Sequence, residues 1–169
     1  MDKTNESQQQ PMPDPVPVML GFLDEIGIAW EFASLDEDTL LPGLRIEQGR
    51  LLVDPERLEF PGDILHEAGH IAVTPAADRT SLGPAGLGEA GLEMAAMAWS
   101  YAACVHLALP PELVFHSGGY KGAGDSILET LRSGANLGQP LLAWMDLTEW
   151  GRDADPGRMF PVMSRWLRD

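Results

Sequence analysis

The stretch "GDILHEAGHIAV", residues 62–73, holds two histidines, His66 and His70, with Glu67 directly after the first. Residues four apart are neighbours on one face of a helix. The flanks are those of a helix. Pro61 suits a first helical turn, Asp63 suits the positive end of the helix dipole, and Pro75 closes the element. Ile64, Ala68 and Ile71 fall on one face and are expected to pack on the core, while His66 and His70 share another. Almost everything else in "ILHEAGHIAV" is small or apolar. Two imidazoles on such a helix are expected to be buried, and buried polar groups need partners.

A metal ion would satisfy both rings. Catalytic zinc takes three protein ligands and leaves one position for water. Histidines at i and i+4 reach one ion together, and Glu67 between them lies where it can take a proton from the bound water. The competing reading is a pair of surface histidines on an amphipathic helix. A third histidine in the longer extension HExxHxxGxxH is excluded, because Val73 and Ala76 occupy those positions.

A carboxylate from a later helix is the remaining source of a third ligand. The segment "GEAGLEMAAMAWSYAACVHLAL", residues 88–109, offers Glu89 and Glu93, one turn apart on one face. From Met94 to Pro111 there is no Asp, Glu, Lys or Arg. Glu93 therefore opens a long uncharged helix that must be largely buried, and a carboxylate beside that core needs a partner. Glu93 is the expected ligand. Glu89 is then an outer acceptor for a histidine N–H, or a solvated residue of the first turn; the reverse assignment is the alternative.

The rest of the chain supplies the frame. Val18 to Phe32 reads as a short helix running into a strand. "LRIEQGRLLVD", residues 44–54, reads as a hairpin over 44–53 that turns at Gln48-Gly49. "TPAADRTSLGPAGLG" is a loop. "SILETLRSG" and "QPLLAWMDL" read as short helices, and "GRMFPVMSRWLRD" as a terminal helix interrupted near Pro161. Trp99, Trp144, Trp150 and Trp166 are expected core aromatics. His106, on the far side of its helix from Glu93, reads as a core or surface histidine.

Hairpin, "HEAGH" helix, loop and glutamate-bearing helix, in that order over about residues 44–109, resemble the zincin metallopeptidases of gluzincin type. The similarity is greatest to the small bacterial HExxH peptidases. The resemblance implies an α+β fold, with a small antiparallel sheet packed on the HExxH helix, a second Glu-bearing helix and a helical C-terminal part. It implies His66 and His70 as zinc ligands and Glu67 as general base. It makes the strand at about 50–53 the edge that lines up an extended peptide substrate. Such sites often stabilise the oxyanion with a His or Tyr from a later loop. Here "VFHSGGYKG" supplies His116 and Tyr120, against the plainer reading of an ordinary surface loop. Its glycines form no Walker phosphate loop.

The resemblance implies a peptide or protein substrate, and composition sets the remaining bounds. The 169 residues, 44% hydrophobic, suit one domain with a core, expected over 16–169, after a Gln/Pro-rich disordered tail over 1–15. With 11 basic against 26 acidic residues and a net charge of −15, no nucleic-acid partner is expected. No signal peptide, apolar span or basic amphipathic segment points to a membrane. The lone Cys104 reads as a buried structural thiol and, with no disulfide possible within the chain, a cytoplasmic setting is expected. The reading from another class is a non-catalytic binding or regulatory module of zincin fold, with a structural or vestigial metal site.

Overall fold

The computed structural model describes residues 13–83 and 90–169. Within them the chain is a mixed α+β structure of five α-helices and one three-stranded sheet. The Gln/Pro-rich tail falls mainly outside the described residues.

Helix α1 (Val16–Ile26) buries Met19, Leu20, Phe22 and Leu23 along one stripe. It stops at Gly27, whose φ of 82° is a left-handed C-cap. Strand β1 (Trp30–Phe32) follows, and then the expected hairpin, β2 (Leu44–Glu47) and β3 (Arg50–Val53). Gln48 and Gly49 turn it with φ of 52° and 75°, the twist that a two-residue hairpin turn requires.

Two expectations about the sheet are corrected. The sheet is mixed, not antiparallel: β1 pairs parallel with β3, and β2 pairs antiparallel with it. The order is β1-β3-β2, so the 50–53 strand lies in the centre and the edges are β1 and β2. Burial gives the reason. Leu51, Leu52 and Val53 are 0%, 6% and 0% exposed, so β3 is covered on both faces, as a central strand must be. In β2 burial alternates, with Leu44 and Ile46 inward and Glu47 exposed.

Helix α2 (Asp63–Val73) crosses the sheet with Ile64, Leu65, Ala68, Ile71 and Ala72 buried. Its C-terminal carbonyls are held by two arginines. Arg79 Nε donates to the Ile71 and Thr74 oxygens, each at 3.2 Å. Arg168 donates through its backbone N–H to Ala72 O at 2.9 Å and through its guanidinium to Val73 O at 3.3 Å. Cations there also suit the negative end of the dipole.

Helix α3 (Ala90–His106) packs along α2. The approach is close because small residues face each other. A Cβ at Gly69 would lie 2.9 Å from the Ala96 carbonyl oxygen. The expected start of this helix near Gly88 lies outside the described residues. Cys104 is buried, which pushes its thiol pKa up to about 12. The short helices α4 (Gly124–Arg132) and α5 (Gln139–Trp144) fall where the sequence places them.

The terminal helix is absent from residues 157–169, and this too is a correction. Backbone partners from 147–149 hold that segment in turns and isolated bridges: Ser164 N–H donates to Leu147 O at 2.8 Å and Phe160 N–H to Glu149 O at 3.0 Å. Thr148 pairs with Met163 in an isolated bridge. Trp166 packs edge-on to Trp99 and Phe22, with ring centroids at 5.5 and 4.9 Å. Trp144, expected in the core, is 70% exposed under the Arg168 guanidinium. No helix among the described residues is long and apolar enough to cross a membrane.

The α2–α3 contact carries a prediction. Gly69→Ala must push against backbone, so it should destabilise by about 1–3 kcal/mol. Gly21→Ala, in a helix position with nothing within 4 Å, should be neutral or stabilising by up to about 1 kcal/mol. Chemical denaturation of the two variants checks this, and equal effects would refute the tight contact.

Candidate metal centre

The close approach of α2 and α3 brings three side chains to one point. His66 Nε2 and His70 Nε2 lie 3.2 Å apart. Glu93, reaching across from the first turn of α3, places Oε2 at 3.1 Å from His70 Nε2 and Oε1 at 3.6 Å from His66 Nε2. Four-coordinate zinc with arms of about 2.0–2.1 Å has ligand atoms roughly 3.3 Å from one another. The observed separations straddle that figure, and the mix of imidazole and carboxylate donors is one that zinc accepts. His66, Glu67 and His70 also offer donor atoms all within 4.8 Å of one another.

The electrostatics are those of a crowded, poorly solvated cluster. Burial, then the neighbouring His70, lowers the His66 pKa to about 4, so its ring is neutral at pH 7. Burial also opposes a charge on His70, but the hydrogen bond to Glu93 and the Glu67 and Glu93 carboxylates outweigh it and leave the pKa above the usual 6.5. The same hydrogen bond holds the Glu93 carboxyl below its usual range. Glu67 is pushed the other way, to about 7, chiefly by burial. A carboxyl poised near neutrality can both take and return a proton.

A cleft of about 410 Å³ opens beside the cluster. Leu40, Leu41 and Ile46 line one wall, and Asp63, Gly119, Tyr120 and Lys121 line the other. Ile46 belongs to β2, the sheet edge nearest the site. The loop that a binding module could use to plug its own site, at 76–88, contributes no lining residue among those described.

The two loop residues expected near the site have different places. The Tyr120 hydroxyl reaches His66 Nδ1 at 2.9 Å. His116 turns away from the His66–His70 pair. Its Nε2 lies 3.0 Å from Asp63 Oδ1, and its ring stacks on Phe60 at 3.9 Å. The sequence reading gave Asp63 only a helix-dipole role; here burial raises its pKa despite the His116 contact. Its signal in the sequence was faint, an acidic residue one turn before His66. Glu89 lies outside the described residues. His106 is exposed, with its ring against Phe22 and Trp166.

The 116–124 loop is tightly conformed. Tyr120 and Lys121 are left-handed with φ of 53° and 56°, each at a cost of about 1–3 kcal/mol for a non-glycine residue. Stacking of Tyr120 on Phe115 at 5.5 Å and its bond to His66 offset that cost.

No known protein family, curated protein or solved structure matches this chain.

The Glu93–His70 pair is testable without metal. In Glu93→Gln the negative charge is gone while the shape stays, so burial should prevail and the His70 pKa should fall. NMR titration of the His70 ring reads this directly. An unchanged pKa would mean that Glu93 does not face the ring in solution.

Proposed function

We propose that this chain is a zinc-dependent hydrolase of zincin-like fold, acting on peptide bonds. His66, His70 and Glu93 would hold the ion and Glu67 would serve as general base. The observation that carries this reading is the position of Glu93. A carboxylate from a separate helix closes a triangle with the two histidines at separations fit for one ion.

Zinc held there would supply Lewis acidity, polarising the scissile carbonyl and lowering the pKa of the attacking water. Glu67 would take one proton from an attacking water as the water oxygen adds to the carbonyl carbon. It would then return that proton to the amine nitrogen as the C–N bond breaks. An extended substrate can lie along the free edge of β2, adding a strand beside Ile46, with the apolar wall of Leu40 and Leu41 receiving a side chain.

Metal content and activity test separate parts of this reading. Purified protein should bind about one zinc per chain, and His66→Ala with His70→Ala should abolish binding. Binding must displace a proton from His70 at any pH below its raised pKa. Zinc affinity should therefore fall with pH, by up to about tenfold per unit for that one proton. An affinity independent of pH between 5 and 8, measured by chelator competition, would exclude His70 as a ligand.

Glu67→Gln tests catalysis, because the amide keeps the shape and loses the base. Zinc-loaded Glu67→Gln should cleave an unstructured peptide library about 10²–10⁴-fold more slowly than zinc-loaded wild type. Equal rates would rule out Glu67 as the base. Zinc bound by both with cleavage by neither would favour the binding-module reading.

A further inference from the structure

We infer that Tyr120 is a positioning residue that fixes the proton of His66 on Nδ1 and so leaves the Nε2 lone pair facing the cluster. This rests on the proposed metal site for its purpose, but on the hydrogen-bond geometry for its substance.

A neutral imidazole carries one N–H, and its place is decided by what each nitrogen faces. His66 Nε2 faces His70 Nε2 at 3.2 Å. A proton on His70 Nε2 has its best acceptor in Glu93 Oε2, at 3.1 Å. A second proton on His66 Nε2 would oppose that N–H. Glu93 Oε1, at 3.6 Å, is too far from His66 Nε2 to accept it well. On the other side of the ring, Nδ1 meets one partner, the Tyr120 hydroxyl at 2.9 Å. A tyrosine hydroxyl can donate or accept, and with Nε2 bare the ring's one proton lies on Nδ1, where it donates to the Tyr120 oxygen. The nitrogen toward His70 is left bare, as a metal ligand must be.

The arrangement is built into the backbone as well. Tyr120 is left-handed at φ 53°, and the following Lys121 and Gly122 are also at positive φ. The ring of Tyr120 stands edge-on to His66 at 5.3 Å and stacks on Phe115. His116, bonded to Asp63 at 3.0 Å, ties the start of the same loop to the first turn of α2. Two loop side chains thus grip α2 one turn apart, one of them on a histidine of the cluster. This assigns the Tyr120 hydroxyl to the ring of His66, not to the oxyanion.

Tyr120→Phe removes the acceptor and keeps the stacked ring, so the variant should still fold but unfold at a somewhat lower temperature than wild type, because the buried His66 Nδ1–H loses its partner. The first measurement uses metal-free protein. Nitrogen-15 NMR of the His66 ring should show Nδ1 protonated in wild type and a shift toward the Nε2–H form in Tyr120→Phe. A merely structural role would leave that ratio unmoved. The second is zinc affinity by chelator competition, expected to fall about 10–100-fold in the variant. The same tautomer in both proteins would overturn the inference. So would undiminished zinc affinity with peptide cleavage lost, because the hydroxyl would then belong to the oxyanion. Should the variant unfold, the wild-type NMR alone decides: an Nε2–H ring overturns the assignment and an Nδ1–H ring sustains it. Wild type that binds no zinc would defeat the metal reading, while the metal-free spectra still decide Tyr120.

Discussion

The close contact between α2 and α3 is the constraint on which the site depends. Gly69 has no side chain, and Ala96 presents its backbone to it. The helices can therefore approach until Glu93 comes within 3.1 Å of His70. A side chain at Gly69 would press on the Ala96 backbone and drive apart the two helices that carry the carboxylate and the imidazoles. Gly69 thus frames the cluster, since packing density leaves no slack to absorb a wider spacing.

The electrostatic consequence is a cluster that cannot satisfy itself well. Two largely buried imidazoles meet a carboxylate whose side chain is 40% exposed. One proton shared with Glu93 on His70 is the arrangement that costs least without an added cation. Burial lowers the pKa of His66 and raises that of Glu67, so neither carries its usual charge comfortably. A divalent cation would replace the proton and bring the acceptors into use together. Structural ion-pair clusters also shift pKa values, so it is the convergence of donors from separate helices, beside an open cleft, that gives the cluster its functional interest.

Much of this was legible in the sequence, and for physical reasons. The "HEAGH" spacing, the Gln48-Gly49 turn and the two short helices after Gly124 are local signals set by nearest neighbours along the chain. Glu93 was legible because a lone carboxylate beside an uncharged helix demands a partner. The strand order was misread, although "LLV" at 51–53 is the continuous apolar run of a strand covered on both faces. The C-terminal segment was misread because its backbone bonds go to residues 147–149, a long-range pairing that helical periodicity does not report. Asp63 and Tyr120 could be read only as types, since their partners His116 and His66 lie 53 and 54 residues away.

The two sides of the cleft are built by different means. Helix α2 is regular, buried and held at its C-terminal end by Arg79 and Arg168, whose donors occupy carbonyls that would otherwise face other partners. The 116–124 loop is irregular, and it holds unfavourable backbone angles in exchange for side-chain contacts with α2. Rigid support suits groups whose separation must be kept to tenths of an ångström, which is what His66, His70 and Glu93 would require as ligands of one ion. A strained loop suits a group that reaches in from outside the helical layer, because no regular element could deliver the Tyr120 hydroxyl to Nδ1 from that side. The contacts on His66 and Asp63 lie one turn apart on α2, so the loop cannot shift along the helix without losing both. Strain in the loop and regularity in the helix are thus two halves of one device, which aims the His66 ring from both ends.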